Sequence, residues 1–244
     1  MIPKHFEFVP GDEKFIAPGR VVKRIRAIAE IAARGVTPGD LGGYIEKPEN
    51  LSGNAWVYGD ARVSGNARVS GNARVYGDAW VYGDARVYGD AWVYGDAWVY
   101  GNARVYGDAW VYGDAWVSGN ARVYGDARVS GNARVYGDAR VYGNARVSGN
   151  ARVYGNAWVS GNAHVQNPQD HLQIGPAKSS GRCTTAHRDK KIGVRVNCGC
   201  FSGSVHEFSR AIEKTHANNE EYLQQYRLFC QLIAFNFNVD PVKE

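Results

Sequence analysis

From Gly53 to Gly161 a glycine falls on every sixth residue. An alanine follows two places later, from Ala55 to Ala163, and a valine two places after that, from Val57 to Val165. Nineteen such hexads run without an insertion, on the pattern G-[DN]-A-[RW]-V-[YS]. In extended chain, residues two apart point to the same side, so Ala and Val share one side and the Arg or Trp between them takes the other. Gly with Asp or Asn then supplies a corner, because both tolerate positive φ cheaply. A helix is excluded: a glycine in every hexad would cost about 1 kcal/mol each, and period six matches no helical face. Collagen needs glycine at every third residue, which this chain lacks. Short strands and tight corners in alternation predict a parallel β-solenoid with Val and Ala inside, each buried Val contributing roughly 1.5–3 kcal/mol.

The slot between Ala and Val sets the coil length. From residue 80 it reads Trp80, Arg86, Trp92, Trp98, Arg104, Trp110, Trp116, Arg122. That order repeats every three hexads, which predicts an 18-residue coil with three flat faces. Small and aliphatic residues at these spacings resemble the hexapeptide left-handed β-helix, and this resemblance implies the left-handed coil. Ile45 and Leu51 share the phase of Val57, so the solenoid is expected over residues 41–166. At about 4.8 Å per coil, six to seven coils make a prism about 30 Å long. One face then carries Arg68, Arg86, Arg104, Arg122 and Arg140 and ends at Trp158. A second carries Arg62, Trp80, Trp98, Trp116, Arg134 and Arg152. The third carries Trp56, Arg74, Trp92, Trp110, Arg128, Arg146 and His164. The slot is expected to face outward in every hexad.

A solenoid leaves open sheet edges, and open edges invite polymerisation unless capped. "HFEFV" and "VVKRIRAIA" alternate as two strands, giving a β-rich N-terminal cap over residues 1–40. After Val165 the rhythm breaks at "QNPQDHLQIGP", read as a linker over 167–180. Residues 181–244 read as a small ββαα domain. "CTTAHRDKKIGVRVNCGCF" forms a hairpin with Ile192, Val194, Val196 and Cys198 on one face. Ser204 and Glu207 make a capping box for a helix to about Thr215, and a second helix from near Asn219 buries Tyr222, Tyr226, Phe229 and Ile233.

The stretches "RIRA", "GDLGGYIE" and "NLS" before the first "AWVYG", and "CGCFSG" followed by "EF" and "TH", resemble an uncharacterised family of hexapeptide-repeat proteins of bacteriophages and prophages. The resemblance spans most of the chain. It implies a phage or prophage source and a host factor as one candidate partner, and it implies no activity.

Net charge is +5 and spread evenly along the chain, so the basic pI of about 9.0 gives poor support for nucleic acid. No signal peptide and no apolar run of roughly 20 residues is visible, and cytoplasmic location is expected. The four cysteines are too sparse for a disulfide scaffold. Hexapeptide acyltransferases, the enzymatic alternative, place a histidine base beside an extruded loop. Here no loop interrupts the repeat, and His164 merely occupies the Arg/Trp slot, so no catalytic residue is assigned. Cys198, Cys200 and His216 are the metal candidates, but Cys-x-Cys in a strand sends its thiols to opposite sides, so no metal or cofactor is expected. The Arg column offers a site for nucleotides or nucleic acid as a further alternative. The favoured reading is a non-enzymatic scaffold. Its binding surface is Trp80, Trp92, Trp98, Trp110, Trp116, Arg86, Arg104 and Arg122, and it meets a protein partner or a second copy.

Overall fold

The computed structural model describes residues 5–241. The repeat folds into a parallel β-solenoid of seven layers, in which each short strand pairs with the strand 18 residues further on, as Trp80 with Trp98 and Trp98 with Trp116. Three sheets form the three sides. Every alanine from Ala55 to Ala163 and every valine from Val57 to Val165 is 0–1% exposed. The corner glycines all have φ between +58° and +73°. An added Cβ there would also crowd the next layer: at Gly95 it would lie 3.1 Å from the Gly113 backbone nitrogen. The corner therefore needs glycine for its backbone conformation and for the layer spacing alike.

The ladder has a direction. In the repeat the backbone N–H of one layer donates to a carbonyl of the following layer, as Trp80 to Ala97 and Tyr82 to Val99. The first layer thus leaves carbonyls unpaired and the last leaves N–H groups.

At the N-terminal end, strands β1 (Phe6–Ala17) and β2 (Arg20–Ala27) form an antiparallel hairpin. β2 pairs with β3 (Leu41–Ile45), which is the first rung of one solenoid face. Gly42 and Gly43 are needed for close approach: a Cβ on either would come within 2.8 Å of a backbone carbonyl, Val57 O or Ala61 O. The Arg24 guanidinium donates to Gly42 O, Gly59 O, Asp12 and the Tyr44 hydroxyl. The buried Asn50 amide donates to Gly65 O and Ala67 O.

At the other end, the segment expected to be a linker contains a strand, His171–Ile174. It joins Thr184–Asp189, Gly193–Cys198 and Phe201–Ser204 in a four-stranded antiparallel sheet. Helices α1 (Val205–Thr215) and α2 (Glu220–Phe237) follow, with the Ser204–Glu207 capping box in place. The unit therefore has four strands where two were expected. Val194 and Val196 are buried, whereas Ile192 sits in the turn, 37% exposed. On α2, Leu223 takes the buried place expected of Tyr222, which is half-buried. The buried apolar residues form two clusters, one along the solenoid and one between this sheet and its helices.

Candidate interaction surface

The Arg/Trp slot is flanked by two inward side chains, so its own side chain faces outward and meets its counterpart one layer away. Trp80 stacks on Trp98 with centroids 5.5 Å apart and planes 11° apart, and Trp98 on Trp116 at 5.3 Å and 9°. On the adjacent side, Trp92 stacks on Trp110 at 5.0 Å and 4°. Each column is closed by guanidinium groups on its outer faces. Arg62 lies 4.8 Å over Trp80 and Arg134 lies 4.7 Å over Trp116. Arg74 lies 4.5 Å over Trp92 and Arg128 lies 4.8 Å over Trp110. Arginine and tryptophan share the slot for a physical reason: both are long and planar, and a guanidinium over a ring face replaces one stacked ring by a cation–π contact.

Six neighbouring pairs of corner tyrosines stack in columns of their own, at 4.7–5.1 Å and within 5° of parallel. They also touch the tryptophans edge-on, as Tyr82 does Trp98 and Tyr94 does Trp110. Burial in these columns raises the phenol pKa of Tyr82, Tyr94, Tyr106 and Tyr124. All five tryptophans of the two columns are half-buried. Their flat faces are spent on one another, and their edges, with the tyrosine hydroxyls, form the surface.

Trp56 departs from the outward rule. It is 1% exposed and belongs to the same buried cluster as Phe6, Ala27, Ile31 and Val36 of the N-terminal cap. Its backbone obeys the repeat; the cap covers its outer side. Arg86 and Arg104 are exposed and Arg122 is half-buried. Among the described residues no ion pair joins an arginine of the repeat to an aspartate of the repeat; the repeat aspartates in ion pairs, Asp60 and Asp90, meet Lys14, Arg24 and Arg34 of the cap. The corner side chains instead form short amide ladders, such as Asn102 to Asn120 to Asp138.

His164 pairs in register with Arg146 at the end of its column. Cys198, Cys200 and His216 do line one cleft of about 330 Å³. However, the His216 ring stacks on Tyr226 at 4.9 Å, and Cys198 accepts from the Thr184 hydroxyl. Among the described residues, no three His, Cys, Asp or Glu side chains gather as metal ligands.

The polar seal on the last layer is not evident in the repeat. Alternate side chains of the strand Thr184–Asp189 face the solenoid and accept its unpaired N–H groups. Trp158 N–H donates to Thr185 Oγ1, Ser160 N–H to His187 Nε2 and Asn162 N–H to Asp189 Oδ2. Asn197 Nδ2 donates to Trp158 O and to His187 Nε2. With Nε2 accepting, His187 is neutral and its Nδ1–H donates to Arg188 O. Burial pushes its pKa down to about 4. The only trace in the sequence is the polar alternation T-x-H-x-D at 185, 187 and 189, which also fits an ordinary exposed strand.

Ten segments between residues 61 and 167, most of them overlapping, match the YdcK beta solenoid repeat. The matched residues lie wholly within the repeat and its last corner. No curated protein matches the chain by sequence. Among the described residues, no helix is long and apolar enough to cross a membrane.

Proposed function

We propose that this chain is a non-enzymatic β-solenoid scaffold whose two tryptophan faces bind a protein partner or a second copy. The observation that supports this reading most is the placement of the aromatics. Five tryptophans sit in the central layers of two adjacent faces, closed above and below by arginine. Trp, Tyr and Arg dominate interface energetics, and large aromatic surfaces on soluble proteins mark contacts. Left-handed coiling, a phage or prophage source and a cytoplasmic site of action belong to the same reading. They rest on the hexad pattern and on the resemblance of the "GDLGGYIE" and "CGCFSG" stretches. In that setting a host factor is the candidate partner.

The test compares the wild-type chain with Trp80/Trp98/Trp116→Arg and with Trp92/Trp110→Arg. Arginine already occupies the slot, so both variants should fold. Sedimentation gives the oligomeric state, and cross-linking followed by mass spectrometry gives the contacts made. Loss of self-association, or of a wild-type contact, in folded variants supports the reading. Unchanged mass and unchanged contacts would show that the ladders serve the fold alone.

A further inference from the structure

The serines that replace tyrosine at the corners fall mostly at the column ends. One column runs Ser52, Ser70, Tyr88, Tyr106, Tyr124, Tyr142, Ser160, and another runs Tyr58, Tyr76, Tyr94, Tyr112, Ser130, Ser148. The third runs Ser64, Tyr82, Tyr100, Ser118, Tyr136, Tyr154. Ser118 is thus the one serine with tyrosine on both sides of it in a column. The gap is a notch of about 240 Å³ lined by Tyr100, Trp116, Ser118, Arg134, Tyr136 and Arg152.

Its dimensions follow from the ladder. Tyr100 and Tyr136 are two layers apart, roughly 9.6 Å at about 4.8 Å per layer. A ring midway would sit roughly 4.8 Å from each neighbour by the same spacing. That equals the separation in the intact columns, 4.7–5.1 Å. Tyr100 and Tyr136 would flank its two faces, with Trp116 beside its edge. The structure around the gap is visibly looser. Tyr136 and Tyr154 stack at 5.6 Å and 17°, and they are 38% and 48% exposed.

Charge decides what kind of ring belongs there. An aromatic box alone would suit a quaternary ammonium. Here Arg134 and Arg152 line the box, both exposed, and neither is in an ion pair among the described residues. The corner beside it is Asn120, whose amide donates to Asp138 one layer on, and Asp138 is not among the residues lining the notch. The two guanidinium groups, of which that of Arg134 also covers the Trp116 ring, repel a cation and attract carboxylates next to the inserted ring.

We propose that the Ser118 notch receives one aromatic side chain of a partner protein, presented with acidic residues beside it. This rests on the scaffold reading above and gives it a specific point of contact. The probe is the peptide acetyl-Asp-Tyr-Glu-amide, followed by NMR on chain labelled at its tyrosine rings. Acetyl-Asp-Ala-Glu-amide and AMP are the comparison ligands.

The peptide should shift Tyr100 and Tyr136 saturably, with a dissociation constant in roughly the millimolar range for so small a ligand. The alanine peptide should bind roughly tenfold more weakly or worse. Ser118→Tyr completes the column. It should abolish binding while raising the melting temperature by roughly 2–6 °C, which certifies that the variant is folded. Arg134→Gln with Arg152→Gln should weaken binding and flatten its salt dependence. Tyr136→Ser, which removes one wall of the notch, should also weaken it. Equal binding to wild-type and Ser118→Tyr chains overturns the proposal, as does absence of any shift. Tighter binding of AMP than of the peptide overturns the choice of a protein side chain. If the Trp→Arg variants lose an association that Ser118→Tyr retains, the scaffold reading stands and the notch proposal fails.

Discussion

Replacing Trp98 by alanine and by arginine should give very different costs. Trp98 stacks on Trp80 at 5.5 Å and on Trp116 at 5.3 Å, and Tyr82 meets it edge-on at 6.2 Å. Each such contact contributes about 0.5–1.5 kcal/mol beyond area burial, so Trp98→Ala should cost about 2–4 kcal/mol. Trp98→Arg loses the same three contacts but gains two cation–π contacts, one on each neighbouring ring. The geometry already exists where Arg62 covers Trp80 at 4.8 Å and Arg134 covers Trp116 at 4.7 Å. At about 0.5–1 kcal/mol each on an exposed sheet, these return about 1–2 kcal/mol. Other guanidinium groups in the column lie two layers away, roughly one Debye length at ordinary ionic strength, and add little repulsion. Trp98→Arg should therefore be more stable than Trp98→Ala by at least about 1 kcal/mol. Urea unfolding followed by far-UV circular dichroism measures this without relying on the fluorophore being removed. Equal m-values are required, because a repeat array can lose cooperativity. An arginine variant as unstable as the alanine variant would refute the account of why the two residues share the slot.

The corner glycines offer a paired test: Gly95 and Gly193 have φ of +68° and +73°, but only Gly95 would place a Cβ against the next layer. Both Ala variants should lose about 1–2 kcal/mol for the left-handed conformation. Gly95→Ala should lose more, and equal losses in chemical unfolding would remove the steric part of the argument. The C-terminal seal should weaken in acid. Burial holds the pKa of His187 and His171 at about 4, below the ordinary 6.5. The unfolded chain then binds more protons between those values, so stability is full above about pH 6.5 and falls as pH drops towards 4, by on the order of 3 kcal/mol per histidine. The protection of the Ser160 amide, as its exchange rate relative to that of an unfolded amide at the same pH, should fall over that window before protection in the central layers does; uniform loss would contradict a local seal. Burial pushes the Cys230 thiol up to about 12, whereas Cys200 is exposed. A thiol reagent at neutral pH should label Cys200 and spare Cys230, as mass spectrometry of the labelled peptides would report.

The period of the repeat made the solenoid legible because glycine, alanine and valine each answer a purely local demand: a positive φ, a narrow interior and an inward-facing aliphatic. Trp56 shows where such reasoning ends. Its place in the hexad is the same as that of Trp92, yet one is sealed under the cap and the other lies in an open column. Nothing in six residues encodes what another segment lays over them. The strand His171–Ile174 was hidden for a related reason. It lies between prolines in a polar stretch, and only pairing with Thr184–Asp189 makes it a strand. The tryptophan columns were readable from the three-hexad order. Their closure by arginine required knowing that slot side chains stack face to face along the column.

The direction of the ladder accounts for the chemistry of both caps. Since each layer donates its N–H groups forward, the first layer presents carbonyls and the last presents N–H groups. The N-terminal cap meets carbonyls with donors, the Arg24 guanidinium and the Asn50 amide. The C-terminal cap meets N–H groups with acceptors, Thr185 Oγ1, His187 Nε2 and Asp189 Oδ2. These groups occupy the positions through which a second solenoid would extend the sheets end to end, so head-to-tail growth would have to displace a matched set of buried polar contacts. The sides carry no such obstruction: their backbone is already paired within the chain, and what they offer is ring edges, phenol hydroxyls and unpaired guanidinium groups. On the scaffold reading proposed above, a partner, or a second copy, therefore meets this solenoid on its tryptophan faces and not at its ends.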